Sequence, residues 1–212
     1  MTRPVFLDVD NTLLDNDAAK GALVGQIAVA VPAASAARFW ELYEAVRRDE
    51  DYVDFPATVA RLHVEHAVDA DRIAAILDAL PYPDFLYPGA LDVIGRLWDR
   101  WTPVILSDGD RAFQPRKIER AGLTAAVRGN VLVYVHKERQ LDDVRRRFPG
   151  ERPVFVDDKA RILGRIERAL PDAFTVHVCQ GGYRSEPPLA GDPEPDRVIE
   201  RIADLDGALA DA

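Results

Sequence analysis

Short apolar runs alternate with amphipathic stretches along most of this chain. Val5-Phe6-Leu7-Asp8-Val9, Pro103–Leu106, Val131–Val135, Pro153–Val156 and Phe174–Val178 are four to five residues long and almost wholly apolar. Runs of that length bounded by turn-forming residues predict strands, and their near-continuous apolarity predicts burial on both sides. Between them, Ala90–Trp101, Ala112–Ala121, Glu138–Phe148 and Ala160–Leu170 repeat their apolar positions at helical spacing. Strands that alternate with helices of this length predict right-handed βαβ units, an α/β chain whose parallel sheet carries helices on both faces.

One stretch breaks the alternation. From about Asp17 to Leu80 only helical periodicity is found, over Ala18–Val31, Ala33–Arg48, Phe55–His66 and Asp71–Leu80, with Asp69 or Ala70 opening the last of these. An all-helical insertion over residues 17–81 is therefore expected, with residues 1–16 and 82–212 forming the core. The return linker Pro81-Tyr82-Pro83-Asp84-Phe85-Leu86-Tyr87-Pro88-Gly89 is dense in residues that end elements. Ser185–Pro195 reads as a loop, followed by a closing helix near Arg197–Leu209.

Composition narrows the function. The 212 residues are 48% hydrophobic and 30% charged, with a net charge of −9. That net charge argues against non-specific nucleic-acid binding, which needs clustered Lys and Arg to neutralise phosphates, although one local positive pocket can still hold a phosphorylated small molecule. Cys179 is the only cysteine, which excludes an intrachain disulfide, fits a reducing compartment and, in its apolar setting, is expected to be a buried thiol. No apolar stretch reaches the roughly 20 residues that span a bilayer. The start Met1-Thr2-Arg3-Pro4 leads directly into a strand and leaves no room for a signal peptide, so a cytoplasmic protein is expected.

In open parallel sheets, ligands bind beyond the carboxyl ends of the strands. Those ends carry Asp8-Val9-Asp10-Asn11-Thr12, Ser107-Asp108-Gly109-Asp110, His136-Lys137 and Asp157-Asp158-Lys159. Asp8 and Asp10 fall on one side of an extended chain, with Val9 on the other. Two such carboxylates can divide their labour, one attacking phosphorus and the other exchanging a proton with leaving group and water. Crowded acids repel, so a divalent cation is expected among Asp8, Asp157 and Asp158, and Mg2+ suits hard oxygen ligands. Ser107, Asp108 and Lys137 are the candidates for binding phosphoryl oxygens.

Asp8-Val9-Asp10-Asn11-Thr12-Leu13 resembles the DxDxT motif of the haloacid dehalogenase-like (HAD-like) superfamily. Ser107, Lys137 and the Asp157-Asp158 pair resemble its second, third and fourth motifs, in order and at the expected strand ends. The resemblance spans nearly the whole chain and implies a Rossmann-like three-layer α/β/α core with an inserted α-helical cap. It further implies that Asp8 is a nucleophile forming an aspartyl-phosphate and that Asp10 is the general acid/base. Mg2+ would be bound by Asp8, the backbone carbonyl of Asp10 and Asp158, with Asp157 assisting directly or through water. Two departures stand out. Ile162 occupies a position where many relatives carry a further aspartate, and Glu138 replaces the proline that often follows the lysine of the third motif.

Blander readings compete at several positions. Asp8 and Asp10 could cap a strand-end turn, and Ser107 could cap the following helix. Lys117 and Lys159 are rivals of Lys137 for phosphate; Lys117 sits on a helical face where a solvated charge is the default. Arg47-Arg48-Asp49-Glu50-Asp51 reads as a solvated charge run, yet it falls between two helices of the insertion, which makes Arg47, Arg48 and Tyr52 candidates for contact with a leaving group. Trp40, Trp98 and Trp101 read as core, and His63 and His66 have no third ligand nearby. The expected activity is Mg2+-dependent hydrolysis of a small phosphate monoester. A dehalogenase or phosphomutase of the same superfamily, or a non-catalytic phospho-ligand-binding module, are the alternatives. Asp10 argues against a dehalogenase, whose chemistry needs no acid there. The substrate, a small phosphorylated metabolite, is not specified by these residues, nor is the oligomeric state.

Overall fold

The computed structural model describes residues 3–50, 52–210 and 212; Met1, Thr2, Asp51 of the charge run and Asp211 lie outside it. Strand β1 (Arg3–Leu7) is followed by four helices, α1 (Asn16–Ala30), α2 (Ala33–Glu50), α3 (Phe55–His66) and α4 (Ala70–Ala79). The chain then alternates: α5 (Ala90–Leu97), β2 (Trp101–Asp108), α6 (Phe113–Arg120), α7 (Leu123–Ala126), β3 (Val131–Tyr134), α8 (Leu141–Arg147), β4 (Val154–Asp157), α9 (Ala160–Ala169) and β5 (Phe174–Val178). It closes with β6 (Arg197–Ile199) and a short helix α10 (Leu205–Ala208).

Among the described residues the strands form one parallel sheet in the order β3-β2-β1-β4-β5-β6. Alternate residues of the central strands bury on opposite faces. Val5 and Leu7 join a core that runs without a break through Ile105, Val156 and Val93 to Leu23, Phe39, Leu62 and Ile73 of the helical segment. Phe6 faces the other way, stacks on Phe155 at 4.8 Å and packs with Val144, Leu163 and Ile166 of α8 and α9. Helices on both faces make this a three-layer, Rossmann-like α/β/α fold. From β1 the strand order runs one way to β2 and β3 and the other way to β4, β5 and β6. This reversal opens a crevice at the carboxyl ends of β1 and β4.

Three of the four successive helices start where a side chain caps them. The Asp54 carboxylate accepts from Ala57 N at 2.8 Å, with Pro56 in the first turn of α3, and Asp69 caps α4 by accepting from Arg72 N at 3.1 Å. α1 is doubly held: Asp15 accepts from Ala18 N at 2.8 Å and Asn11 Oδ1 from Asn16 N at 3.0 Å. No described helix is long and apolar enough to cross a membrane.

Three expectations need correction. The C-terminal run is not a helix from Arg197: residues 197–199 pair with the open edge of β5, where Cys179 N donates to Ile199 O at 2.8 Å. The spacing of Ile202, Leu205 and Leu209 mimics a helical stripe, but the β-branched Val198-Ile199 pair completes the sheet instead. The helix from Ala90 ends at Leu97, and Trp101 opens β2 with the Arg3 guanidinium 4.7 Å above its ring. Cys179 lies just beyond β5 and is half-buried, and burial raises its thiol pKa.

Candidate active site

The loop after β1 is built around one carbonyl. Val9 O accepts from the amides of Thr12, Leu13 and Leu14 at 3.2, 2.9 and 2.9 Å, which folds the segment into a tight turn. Asn11 sits in this turn with φ 62°, and the Cβ of any larger residue at Gly181 (φ 64°) would fall on the Asn11 side chain. A loop from the far end of β5 is thereby pressed against the loop of β1, and a glycine is needed at 181. The turn leaves Asp8 buried at the crevice and directs Asp10 toward open space.

Asp8, Asp157 and Asp158 converge. Each offers a carboxylate oxygen within 4.8 Å of the others, and all three residues are buried. Lys137 reaches the same point from the start of a 3-10 turn at residues 137–139, with Nζ 2.5 Å from Asp8 Oδ1, 2.7 Å from Asp157 Oδ2 and 3.2 Å from Leu106 O. Its amide donates to Asp108 Oδ1 at 2.7 Å. Thr12 Oγ1 donates to Asp8 Oδ2 at 3.2 Å. Asp157 Oδ1 accepts from Lys159 N at 2.9 Å. By contrast, neither carboxylate oxygen of Asp158 has a hydrogen-bond partner, although the residue is fully buried. Lys159 Nζ stands 3.5 Å away, and the Asp158 carbonyl is held by His177 Nε2 at 3.0 Å.

Charge and burial pull these groups apart. Burial pushes the Asp8 carboxyl up to about 6, helped by the Asp157 and Asp10 charges, against Lys137 and Lys159. Burial opposes ionisation of Asp157 as well, but the Lys137 and Lys159 charges and hydrogen bonds hold it below the usual carboxylate range. Asp158 is driven well above that range, chiefly by burial and then by Asp157 and Asp8, with Lys159 pulling the other way. Lys137 is kept charged despite burial by Asp157, Asp8 and Asp108. Three acids against two lysines leave a surplus of negative charge, and a fully buried carboxylate with both oxygens unsatisfied is costly. A hard divalent cation with oxygen ligands fits this donor set.

Above the cluster lies a cavity of about 490 Å³. Asp10, Asp108 and Lys159 line its floor, and Lys20, Tyr43, Arg47, Arg48 and Tyr52 of the helical segment line its upper wall. Of the sequence-predicted residues, Asp10, Asp108, Arg47, Arg48 and Tyr52 line this space, whereas Asp8, Ser107, Lys137, Asp157 and Asp158 are buried and are not among its lining residues. Ser107 is buried, and its Oγ accepts from Gln114 Nε2 at 2.9 Å. Arg47 donates to Tyr183 Oη at 3.2 Å, and the Tyr183 ring lies 5.0 Å from Lys159 Nζ. Tyr52 Oη donates to Asp54 Oδ2 at 3.1 Å. On one side an arc of rings, Tyr43–Phe55–Phe113–Tyr82, with centroids 5.4, 4.8 and 6.4 Å apart, joins α2 and α3 to α6.

Lys117 corrects the sequence reading. It is buried at 4% exposure, not solvated, and its Nζ donates to Asp10 Oδ1 and, at 2.7 Å, to Asn16 Oδ1. Gln114 and Tyr183 are site neighbours that the sequence reading does not name, and Lys159, a rival of Lys137 there, lines the cavity. For Lys117 and Gln114 a signal existed: Phe113, Gln114, Lys117 and Ile118 share the buried face of α6. Ile162 is buried beside the cavity, and Glu138 Oε1 pairs with Arg165 at 3.0 Å, one turn further along α9 from Ile162.

A crystal structure from Burkholderia xenovorans LB400, described as a haloacid dehalogenase-like hydrolase, shares 40% sequence identity with this chain. It superposes with a TM-score of 0.89 over 97% of this chain and 95% of its own. The chain belongs to the haloacid dehalogenase-like hydrolases. Two more distant structures show the same fold as this HAD-like hydrolase. One is the HAD-hydrolase YfnB from Bacillus subtilis bound to magnesium, with 17% identity, 99% of each chain covered and a TM-score of 0.67. The other is the L-2-haloacid dehalogenase from Xanthobacter autotrophicus with chloropropionic acid covalently bound, with 16% identity, 97% of each chain covered and a TM-score of 0.65. No family model and no curated protein matches the HAD-like chain.

Proposed function

We propose that this HAD-like hydrolase is a magnesium-dependent phosphatase that cleaves a small phosphate monoester through an aspartyl-phosphate on Asp8. The observation that carries the reading is the acid cluster of Asp8, Asp157 and Asp158, with two buried Asp158 oxygens that accept no hydrogen bond and only the Lys159 ammonium nearby, at 3.5 Å. Attack of one carboxylate on a neutral carbon has no need of such a cluster, whereas attack on an anionic phosphoryl group needs positive charge beside it.

In this reading an Asp8 oxygen attacks phosphorus, the ester oxygen leaves and takes a proton from Asp10. A water molecule then gives its proton to Asp10 as it attacks the phosphoryl group, releasing inorganic phosphate and restoring Asp8. Asp8, the Asp10 carbonyl and Asp158, with Asp157 assisting, would hold magnesium, which would supply positive charge beside the phosphoryl oxygens. Lys137 and Ser107 hold oxygens that are not transferred, and Asp108 fixes Lys137 through its amide. Residues 17–81 act as a cap over the leaving group, with Arg47, Arg48 and Tyr52 selecting it. Asp10 beside Asp8 favours ester cleavage over dehalogenation, since a departing halide needs no proton.

The test is phosphate release from a panel of phosphorylated metabolites with and without magnesium, run beside halide release from 2-haloacids. Magnesium-dependent phosphate release is expected. Halide release without phosphate release would overturn the reading.

A further inference from the structure

The geometry points to Lys117 as the positioning residue of the second carboxylate: it fixes Asp10 toward the cavity. This rests on the phosphatase reading.

Four observations carry it. Lys117 is an ammonium on the inner face of α6 with a side chain only 5% exposed, while Arg116 and Arg120 on the outer face reach Asp78. Burying such a charge is costly, and a neutral side chain would fill the same space, so its presence calls for a role. Its Nζ donates to Asp10 Oδ1, and Gln114, three residues earlier on α6, donates Nε2 to Asp10 Oδ2 at 3.2 Å. Both oxygens of Asp10 are therefore oriented by one helix, yet its side chain keeps 26% exposure toward the cavity. Finally, Lys117 also holds Asn16 Oδ1, and Asn16 N is held by Asn11 Oδ1 at 3.0 Å. A single ammonium thus ties the acid/base to α6 and to the first residue of α1, in the same turn that presents Asp8.

In the first chemical step the proton moves from Asp10 to the ester oxygen as the P–O bond breaks, and Asp10 becomes a carboxylate. Lys117 faces that carboxylate and has no role in attack or in holding the phosphoryl group. Its removal is expected to act on leaving-group protonation alone. Orientation of a reacting group is worth large factors in rate, and proton transfer from a placed acid contributes about 10²–10⁴-fold.

The experiment compares Lys117→Met and Asn16→Ala with the unaltered protein, each with saturating magnesium, on an alkyl phosphate and on p-nitrophenyl phosphate, whose leaving group needs little protonation. In single-turnover phosphorylation, Lys117→Met is expected to lose on the order of 10²-fold on the alkyl ester. On the aryl ester the loss should stay below about tenfold, with KM for both nearly unchanged. Asn16→Ala, which frees one anchor of the ammonium, should show the same selectivity at smaller size, and it decides the matter if Lys117→Met does not fold. Equal losses on both esters, a rise in KM at constant kcat, or no loss at all would overturn the inference and leave the phosphatase reading standing. Unaltered protein inert toward both esters would overturn both.

Discussion

Lys137 Nζ lies 2.5 Å from Asp8 Oδ1, and the two side chains are only 3% and 4% exposed. The ammonium also holds Asp157, so a single buried cation neutralises two acids from different strand ends. Replacing it strands both. Lys137→Met is expected to lower unfolding free energy by about 3–5 kcal/mol, the usual cost of breaking a buried pair. The Asp8 carboxyl is raised to about 6 from an ordinary 3.8, so the folded protein binds the extra proton between those values. Ionising Asp8 therefore costs stability as pH rises through that window. The Lys137→Met deficit should be largest above pH 6 and shrink toward pH 5. Urea unfolding at both pH values measures this, and an undiminished deficit at pH 5 would contradict it.

Asp8→Asn leaves an isosteric group beside Lys137 that cannot attack phosphorus. Turnover is expected to fall by a factor on the order of 10³ or more, as when other nucleophiles are removed. Circular dichroism should remain native. Residual activity within tenfold of the unaltered protein would displace Asp8 from its role.

Asp157 spends its oxygens on Lys137 and on the Lys159 amide, whereas both oxygens of Asp158 are unspent. The magnesium requirement should therefore rise sharply in Asp158→Asn and less in Asp157→Asn. Thermal unfolding gives a second readout. Magnesium at about 100 times its dissociation constant adds about 2.7 kcal/mol, or roughly 5–10 °C for a chain of this size, and Asp158→Asn should lose that gain. Because the folded-state pKa of Asp158 is raised, its ionised form destabilises the metal-free protein at high pH. Asp158→Asn should then melt higher than the unaltered metal-free protein at pH 8, with the difference vanishing as acid protonates Asp158. The opposite order of the two variants would move the ligand to Asp157.

Arg47, Arg48 and Tyr52 line the wall opposite Asp10. Alanine at any of them should reduce kcat/KM for the best substrate of the panel by about tenfold or more, the scale of one lost polar contact to a charged group. A small aryl phosphate should change far less. Equal losses on both would assign these residues to folding or closure.

Much of this was readable in advance because the strands are buried on both faces. Apolar runs such as Val5–Leu7 and Val154–Val156 have few other homes, and carboxylates at their ends are conspicuous against that background. Lys117 was misjudged for a related reason. A lysine on a helix belongs in water by default, and its partner Asp10 lies 107 residues earlier, a contact no local pattern encodes. Tyr183 is silent for the same cause, whereas Gln114 shares the buried face of α6 with Phe113 and Lys117. At the C-terminus, Ile202, Leu205 and Leu209 bury as a helix would bury them, and only the vacant edge of β5 decides that Val198-Ile199 becomes a strand.

The ring arc gives the cavity a stiff side and a soft one. Separating α3 from α6 would pull Phe55 off the edge-to-face contact with Phe113 and wet both rings. That forfeits about 0.5–1.5 kcal/mol of ring–ring attraction, on top of about 25 cal/mol for every Å² of apolar surface exposed. On the opposite side the seam between α2 and the loop after β5 includes the solvent-exposed hydrogen bond from Arg47 to Tyr183, worth about 1 kcal/mol at most once water replaces it. Molecules therefore have a cheap doorway and a costly one. Traffic should pass beneath the guanidinium of Arg47, so the side chain proposed to choose the substrate also stands at the threshold it must cross.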